Sequence, residues 1–169
     1  MTRQRHKARI VALQGLYQLD MQRTASDADI GDMIAPILVE AELSGDAADY
    51  ARELAAGTWA KHERYDQMIA GVADHWDISR MAVVDRNTIR LALYELVEQP
   101  DVPARVVIDE AIEIGREFGS AETPHFINGV LDAIWKTQEA CRIARGSGDT
   151  TSVSSAAKNH RSEQRHGTV

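Results

Sequence analysis

Apolar residues recur at steps of three and four along almost the whole chain, and that spacing commits it to helices. Residues 104–118 are the plainest case, with Val107, Ala111, Ile114 and Phe118 in one row and Ile108 and Ile112 beside it. Ile10, Leu13, Tyr17 and Met21 repeat in the same way, flanked by Leu16. So do Ile89, Ala92, Leu93 and Leu96 between Asp85 and Glu98, and Phe126, Val130 and Ile134 in "TPHFINGVLDAIW". No segment alternates with a period of two. Asn128-Gly129 is the only Asn-Gly or Asp-Gly dipeptide, and it falls inside a helical row. The expected fold is all-α with about seven helices.

Punctuation divides the rows. A second helix is expected from about residue 27 to 43, kinked or broken at Pro36. "SGDAADY" supplies a turn, and one long helix then runs through Leu54, Trp59, Met68, Ile69 and Val72. "DHWDISRM" reads as a turn with a short helical piece. The two prolines of "EQPDVP" end the Asp85–Glu98 helix, and Pro103 suits the first turn of the next. Gly119 is placed to cap a helix C-terminus. Thr123 can N-cap the last helix, with Pro124 in its first position and its end near Arg145. From Gly146 onward there is no Leu, Ile or aromatic residue. Such a segment cannot offset its ordering entropy by burial, so residues 1–145 are expected to form one domain and 146–169 a disordered tail.

Several chemistries are absent from the sequence. There is no Gly-rich phosphate loop and no G-x-S-x-G nucleophile turn. The single cysteine, Cys141, permits neither an internal disulfide nor a CxxC zinc site. Glu122-Thr-Pro-His125 has the spacing of one half of a di-iron motif but lacks a second half. Asp109, Glu110, Glu113 and Glu117 read as the solvent face of an amphipathic helix. Trp59 and Trp135 lie on apolar rows, and His62 and His75 are isolated. No enzyme activity, cofactor or metal is expected. No apolar run approaches the roughly 20 residues that span a bilayer, so no membrane association is expected and a cytoplasmic protein is.

Charge is the feature that points to function. The net charge is −7, yet residues 1–19 contain Arg3, Arg5, Lys7 and Arg9 and no acid before Asp20. Residues 146–169 carry a net +1, which leaves −12 on residues 20–145. Cations at a helix N-terminus oppose the macrodipole, each costing a few tenths to about 1 kcal/mol. Arg5 and Arg9 are four residues apart and share one side of a helix, with His6 and Lys7 flanking them. Two readings stand side by side: a solvated terminus that aids solubility, or a rigid cationic end that binds a phosphate backbone. "TPHFING" offers a second candidate. There the free N–H groups of a helix start accompany His125 and Asn128, and Phe126 is either a stacking surface or a core residue.

"RHKARIVALQGLYQLD", "DRNTIRLALYELVEQPDVPARVVIDEAIEIGREFGS" and "TPHFINGVLDAI" resemble the transcription antitermination protein NusB family, over roughly residues 3–136. The resemblance implies a three-helix N-terminal and a four-helix C-terminal subdomain, and no catalysis. It implies binding of boxA-type single-stranded RNA of ribosomal leader transcripts. The implied protein partners are the small-subunit ribosomal protein NusE and the RNA polymerase antitermination complex. Whether the chain forms a homodimer is left open. Arg3, Arg5, His6, Lys7 and Arg9 match the family's basic first helix, and Tyr17, His125 and Phe126 match further positions on its RNA-facing surface. Asp85 and Glu122 match acids tied to the protein partner. Four or five phosphate contacts would give a salt slope of about −3, and Arg5 and Arg9 would be removable without loss of stability. Two other readings remain: a detached accessory domain of a ribosomal RNA methyltransferase system, and a helical scaffold whose basic end meets an acidic protein.

Overall fold

The computed structural model describes residues 3–22, 30–73 and 77–146. Among them are seven α-helices and no strand. They are α1 (Arg3–Gln22), α2 (Ile30–Glu40), α3 (Gly45–Ala60), α4 (His62–Val72), α5 (Val83–Glu98), α6 (Ala104–Phe118) and α7 (Thr123–Gly146), with a 3₁₀ turn at Ile78–Arg80 before α5. The chain divides into two compact units, residues 1–137 and 138–169. The core described below belongs to the first. In the second, Arg142 pairs with Glu139 at 2.7 Å. The tail expected to be disordered lies, from residue 147, outside the described residues, as do residues 27–29 of the expected second helix.

The first unit is built around α5. Every residue from Asn87 to Glu95 is buried, as expected of a helix covered on all sides. α1, α3, α4 and α6 all pack against it, and α1, α2 and α3 pack against one another. The α1–α3 group matches the implied three-helix subdomain. α5 joins that group to the later helices through one continuous core containing Leu16, Ile34, Leu54, Ile89, Leu93, Ile127 and Leu131. Truncating a fully buried member such as Leu93 to alanine would cost about 2–5 kcal/mol.

Three local expectations are corrected. α2 continues through Pro36, which excludes the break though not the kink of that expectation. Pro36 and Asp32, whose carbonyl loses its partner, are both exposed, so water can satisfy that carbonyl. The long helix through Val72 is two helices meeting at Lys61, which has φ −119° and ψ 13°. His62 stacks on Trp59 at 4.4 Å and donates from Nδ1 to the Trp59 carbonyl, occupying a helical acceptor at the break. Thr123 does not cap α7 with its side chain. The Phe126 N–H bonds to the Glu122 carbonyl instead, placing the flanking residue one position earlier and Pro124 second in the helix.

Two glycines are fixed by close approach. A Cβ on Gly57 would lie 2.2 Å from the Tyr94 ring, so α3 sits on α5 through a bare backbone. Gly119 does end α6, but in extended conformation (φ −94°, ψ −169°), and a Cβ there would lie 2.5 Å from the Thr123 side chain.

Candidate nucleic-acid interface

α1 buries one side and leaves a ribbon on the other. Ala8, Val11, Ala12, Leu16 and Leu19 are in the core. Arg3, Lys7, Gln14, Tyr17 and Met21 follow one another at helical steps along the opposite face. Arg3 and Gln14 are exposed and Lys7 is half-buried, while Tyr17 and Met21 are 40% and 55% exposed. At 1.5 Å per residue this ribbon is about 27 Å long, cationic at its start and aromatic and thioether near its end.

Arg5 and Arg9 do share a side, as their spacing requires, but that side turns toward α3 and α5. Arg9 is 1% exposed, so its placement on an open cationic surface is corrected. Its Nε donates to Glu95 Oε1 and Oε2 at 3.1 and 2.9 Å, and its Nη2 lies 2.9 Å from Glu95 Oε1. Nη1 reaches Glu110 at 3.4 Å, and the Tyr50 hydroxyl donates to Glu95. Burial opposes charge on Arg9, but the hydrogen bond and negative charge of Glu95 outweigh it and raise its pKa. Burial, then the hydrogen bond and charge of Glu95, push the Tyr50 hydroxyl up. His6 is also engaged from within: Nδ1 lies 2.8 Å from Glu110 and Nε2 3.8 Å from Glu117.

Arg3, Arg5 and Lys7 form no ion pair among the described residues. Arg5 is held differently, with its guanidinium carbon over the Tyr50 ring, 4.8 Å from the centroid. Three cations at the open end of α1 thus keep their charge uncompensated, fewer than the sequence suggests.

A second ion cluster fixes the other end of α1. Asp20 accepts from Arg86 Nε at 2.9 Å, Asn87 Nδ2 at 2.8 Å and Arg90 Nη1 at 3.1 Å. Arg90 also holds Asp66 with two bonds of 2.7 and 2.6 Å. Burial alone would raise the Asp20 pKa, but these donors bring it below the usual carboxylate value. The neighbouring Asp85 accepts from Thr123 Oγ1 at 3.0 Å, and that same oxygen accepts from the Ser120 N–H at 2.9 Å. Burial raises the Asp85 pKa, and the Thr123 bond only partly counters it. Adjacent residues in the first turn of α5 therefore hold the end of α1 and the start of α7. Sequence spacing alone could not connect those two segments.

At the start of α7, Glu122, His125 and Asn128 are exposed, while Phe126 is half-buried against the core. Asp85 is half-buried and already bonded, so it serves the α5–α7 junction whatever else it meets. Glu95, Tyr50, Asp20 and Asp66 were not legible as site residues. The one available signal was Arg86 and Arg90 four apart in an otherwise apolar row, which marks buried cations that need acids. Among the described residues no group of three or more His, Cys, Asp or Glu is placed to hold a metal ion, and no helix is long and apolar enough to cross a membrane.

Fold and surface together define an all-helical protein with one cationic helix end. The NusB family model matches residues 6–136, and the chain belongs to the NusB family. It is 37% identical over 134 residues to the transcription antitermination protein NusB of Symbiobacterium thermophilum, covering 77% of this chain and 88% of that one. A NusB structure from T. maritima superposes with a TM-score of 0.72 at 35% identity, over 80% of this chain and 93% of the other. A NusB chain from a crystal structure of the antitermination factors NusB and NusE in complex with double-stranded RNA superposes with a TM-score of 0.69. Its identity is 28%, over 81% of this chain and 99% of that one.

Proposed function

We propose that this chain is a transcription antitermination factor that binds RNA together with NusE. The observation that carries the reading is the division among its arginines. Arg9, Arg86 and Arg90 are neutralised by Glu95, Asp20 and Asp66, whereas Arg3, Arg5 and Lys7 stand on a rigid helix with no ion pair among the described residues. A body this acidic repels a polyanion over most of its surface, so phosphate contacts gather at the start of α1. The phosphate contacts give affinity without sequence information. Base contacts then fall to Tyr17 along the ribbon and to His125, Phe126 and Asn128 at the start of α7.

In this reading the RNA is the boxA-type single strand of ribosomal leader transcripts, and the complex acts with RNA polymerase in the cytoplasm. Glu122, exposed beside the Asp85–Thr123 junction, contributes to the protein partner's surface, and Asp85 shapes that surface from beneath. An accessory domain for a methyltransferase is disfavoured because the match spans nearly the full length of a curated NusB relative.

The test is a titration of boxA-type leader RNA with and without the ribosomal protein at several salt concentrations. The expected result is weak, salt-sensitive binding by the chain alone that tightens with the partner. Equal binding to any acidic polymer, untouched by the partner, would favour the scaffold reading instead.

A further inference from the structure

We infer that Tyr50 on α3 is a positioning residue for RNA binding: its ring holds the Arg5 guanidinium in place without consuming its charge. This rests on the reading above and names a residue that the α1 pattern does not contain.

The contrast between Arg5 and Arg9 carries the inference. Both guanidinium carbons lie over the same ring, at 4.8 and 5.8 Å from its centroid. Arg9 is then bound by Glu95 and Glu110 and is lost to any external anion. Arg5 remains exposed and forms no ion pair among the described residues. A carboxylate partner would restrain Arg5 equally well, but it would occupy the N–H fork that a phosphate needs. An aromatic face attracts the cation through its quadrupole and leaves the in-plane N–H donors unspent. The ring therefore reduces the conformational freedom that Arg5 would otherwise lose on binding.

Acids do border this place. Gln4, Arg5, Asp46, Asp49, Tyr50 and Glu53 line one groove. Asp49 is paired with Arg52 at 3.0 Å, and Glu53 accepts from Gln99 at 3.0 Å. The groove keeps Arg5 over the ring by its general negative field and discourages the RNA from the α3 side.

Tyr50 itself is fixed by its other end, where the hydroxyl donates to Glu95. Ring and hydroxyl thus have separable duties. The hydroxyl belongs to the buried ion network and to stability, the ring to Arg5 and to RNA.

The experiment measures affinity of the full chain for a single-stranded boxA-type RNA oligonucleotide by fluorescence anisotropy, beside thermal melts. Tyr50→Phe is expected to melt earlier yet bind RNA within twofold of the wild type. Tyr50→Leu is expected to bind roughly three- to fivefold more weakly, the size of an exposed cation–π contact. In an Arg5→Ala background, Tyr50→Leu should cause no further loss. Should Tyr50→Leu fail to fold, ring-fluorinated phenylalanine at position 50 keeps the shape and removes the quadrupole. It should then bind more weakly than Tyr50→Phe. Wild-type affinity in the ringless or fluorinated protein overturns the role of Tyr50, as does an undiminished loss in the Arg5→Ala background. Failure of the wild type to bind RNA overturns the functional reading, and the role of Tyr50 with it.

Discussion

Arg9 and Glu95, 86 residues apart in sequence, meet as a forked ion pair with side chains only 2% and 1% exposed. The pair joins the cationic helix to the central one. Removing one partner strands a buried charge, which costs about 3–5 kcal/mol. Arg9→Ala should therefore lower the melting temperature by about 10 °C, while Arg3→Ala changes it by less than about 2 °C. Calorimetry on the two single variants checks this. Equal, small effects would place Arg9 on the surface after all.

The Asp20 cluster predicts an acid-sensitive fold. Its carboxyl titrates below the usual value in the folded chain. Its contribution is thus complete above the unfolded value of about 3.9 and is lost as pH falls through the folded one. Asp20→Asn should melt about 5–10 °C earlier at pH 7, and the gap should close below pH 4. A gap that persists unchanged in acid would contradict the assignment.

Asp85 carries the opposite sign. Burial raises its pKa despite the Thr123 bond. Folding thus favours its protonated form more than the unfolded chain does, so its contribution is present below the unfolded pKa and lost as pH rises through the folded value. Asp85→Asn keeps an acceptor for Thr123 and removes the charge. It should raise the melting temperature at pH 7 and make no difference below pH 4. A lower melting temperature at pH 7 would show that the carboxylate is needed in its charged form.

Two glycines separate packing from propensity. Gly57→Ala drives a methyl into the Tyr94 ring and should destabilise by about 1–3 kcal/mol. Gly129→Ala, on α7, meets nothing within 4 Å and should stabilise by about 0.5–1 kcal/mol. Denaturant melts of both variants decide it, and the same sign of change in both would remove the close-approach explanation for Gly57.

Helix positions were legible where periodicity and punctuation agreed. Ala104–Phe118 lies between Pro103 and Gly119 as expected, and α5 ends at Glu98 before "QPDVP". The break at Lys61 was not legible, because the apolar row continues across it and only the His62 side chain marks it. The candidate site was half legible. Spacing places Arg5 and Arg9 on one side of α1, but it does not say which neighbour that side meets. The acids that claim Arg9 come from α5 and α6, about 90–100 residues away, and no local pattern announces them.

The central claim is that the cations left unpaired at the start of α1 hold an RNA backbone. It is tested most directly by the salt dependence of RNA affinity in the wild type and in the double variant Arg3→Ala, Lys7→Ala. Three phosphate contacts predict a slope of log K against log salt of about −2 rather than about −3. The double variant should bind more weakly, with a slope near −0.7 and an unchanged melting temperature. Wild-type affinity and slope in that variant would contradict the account.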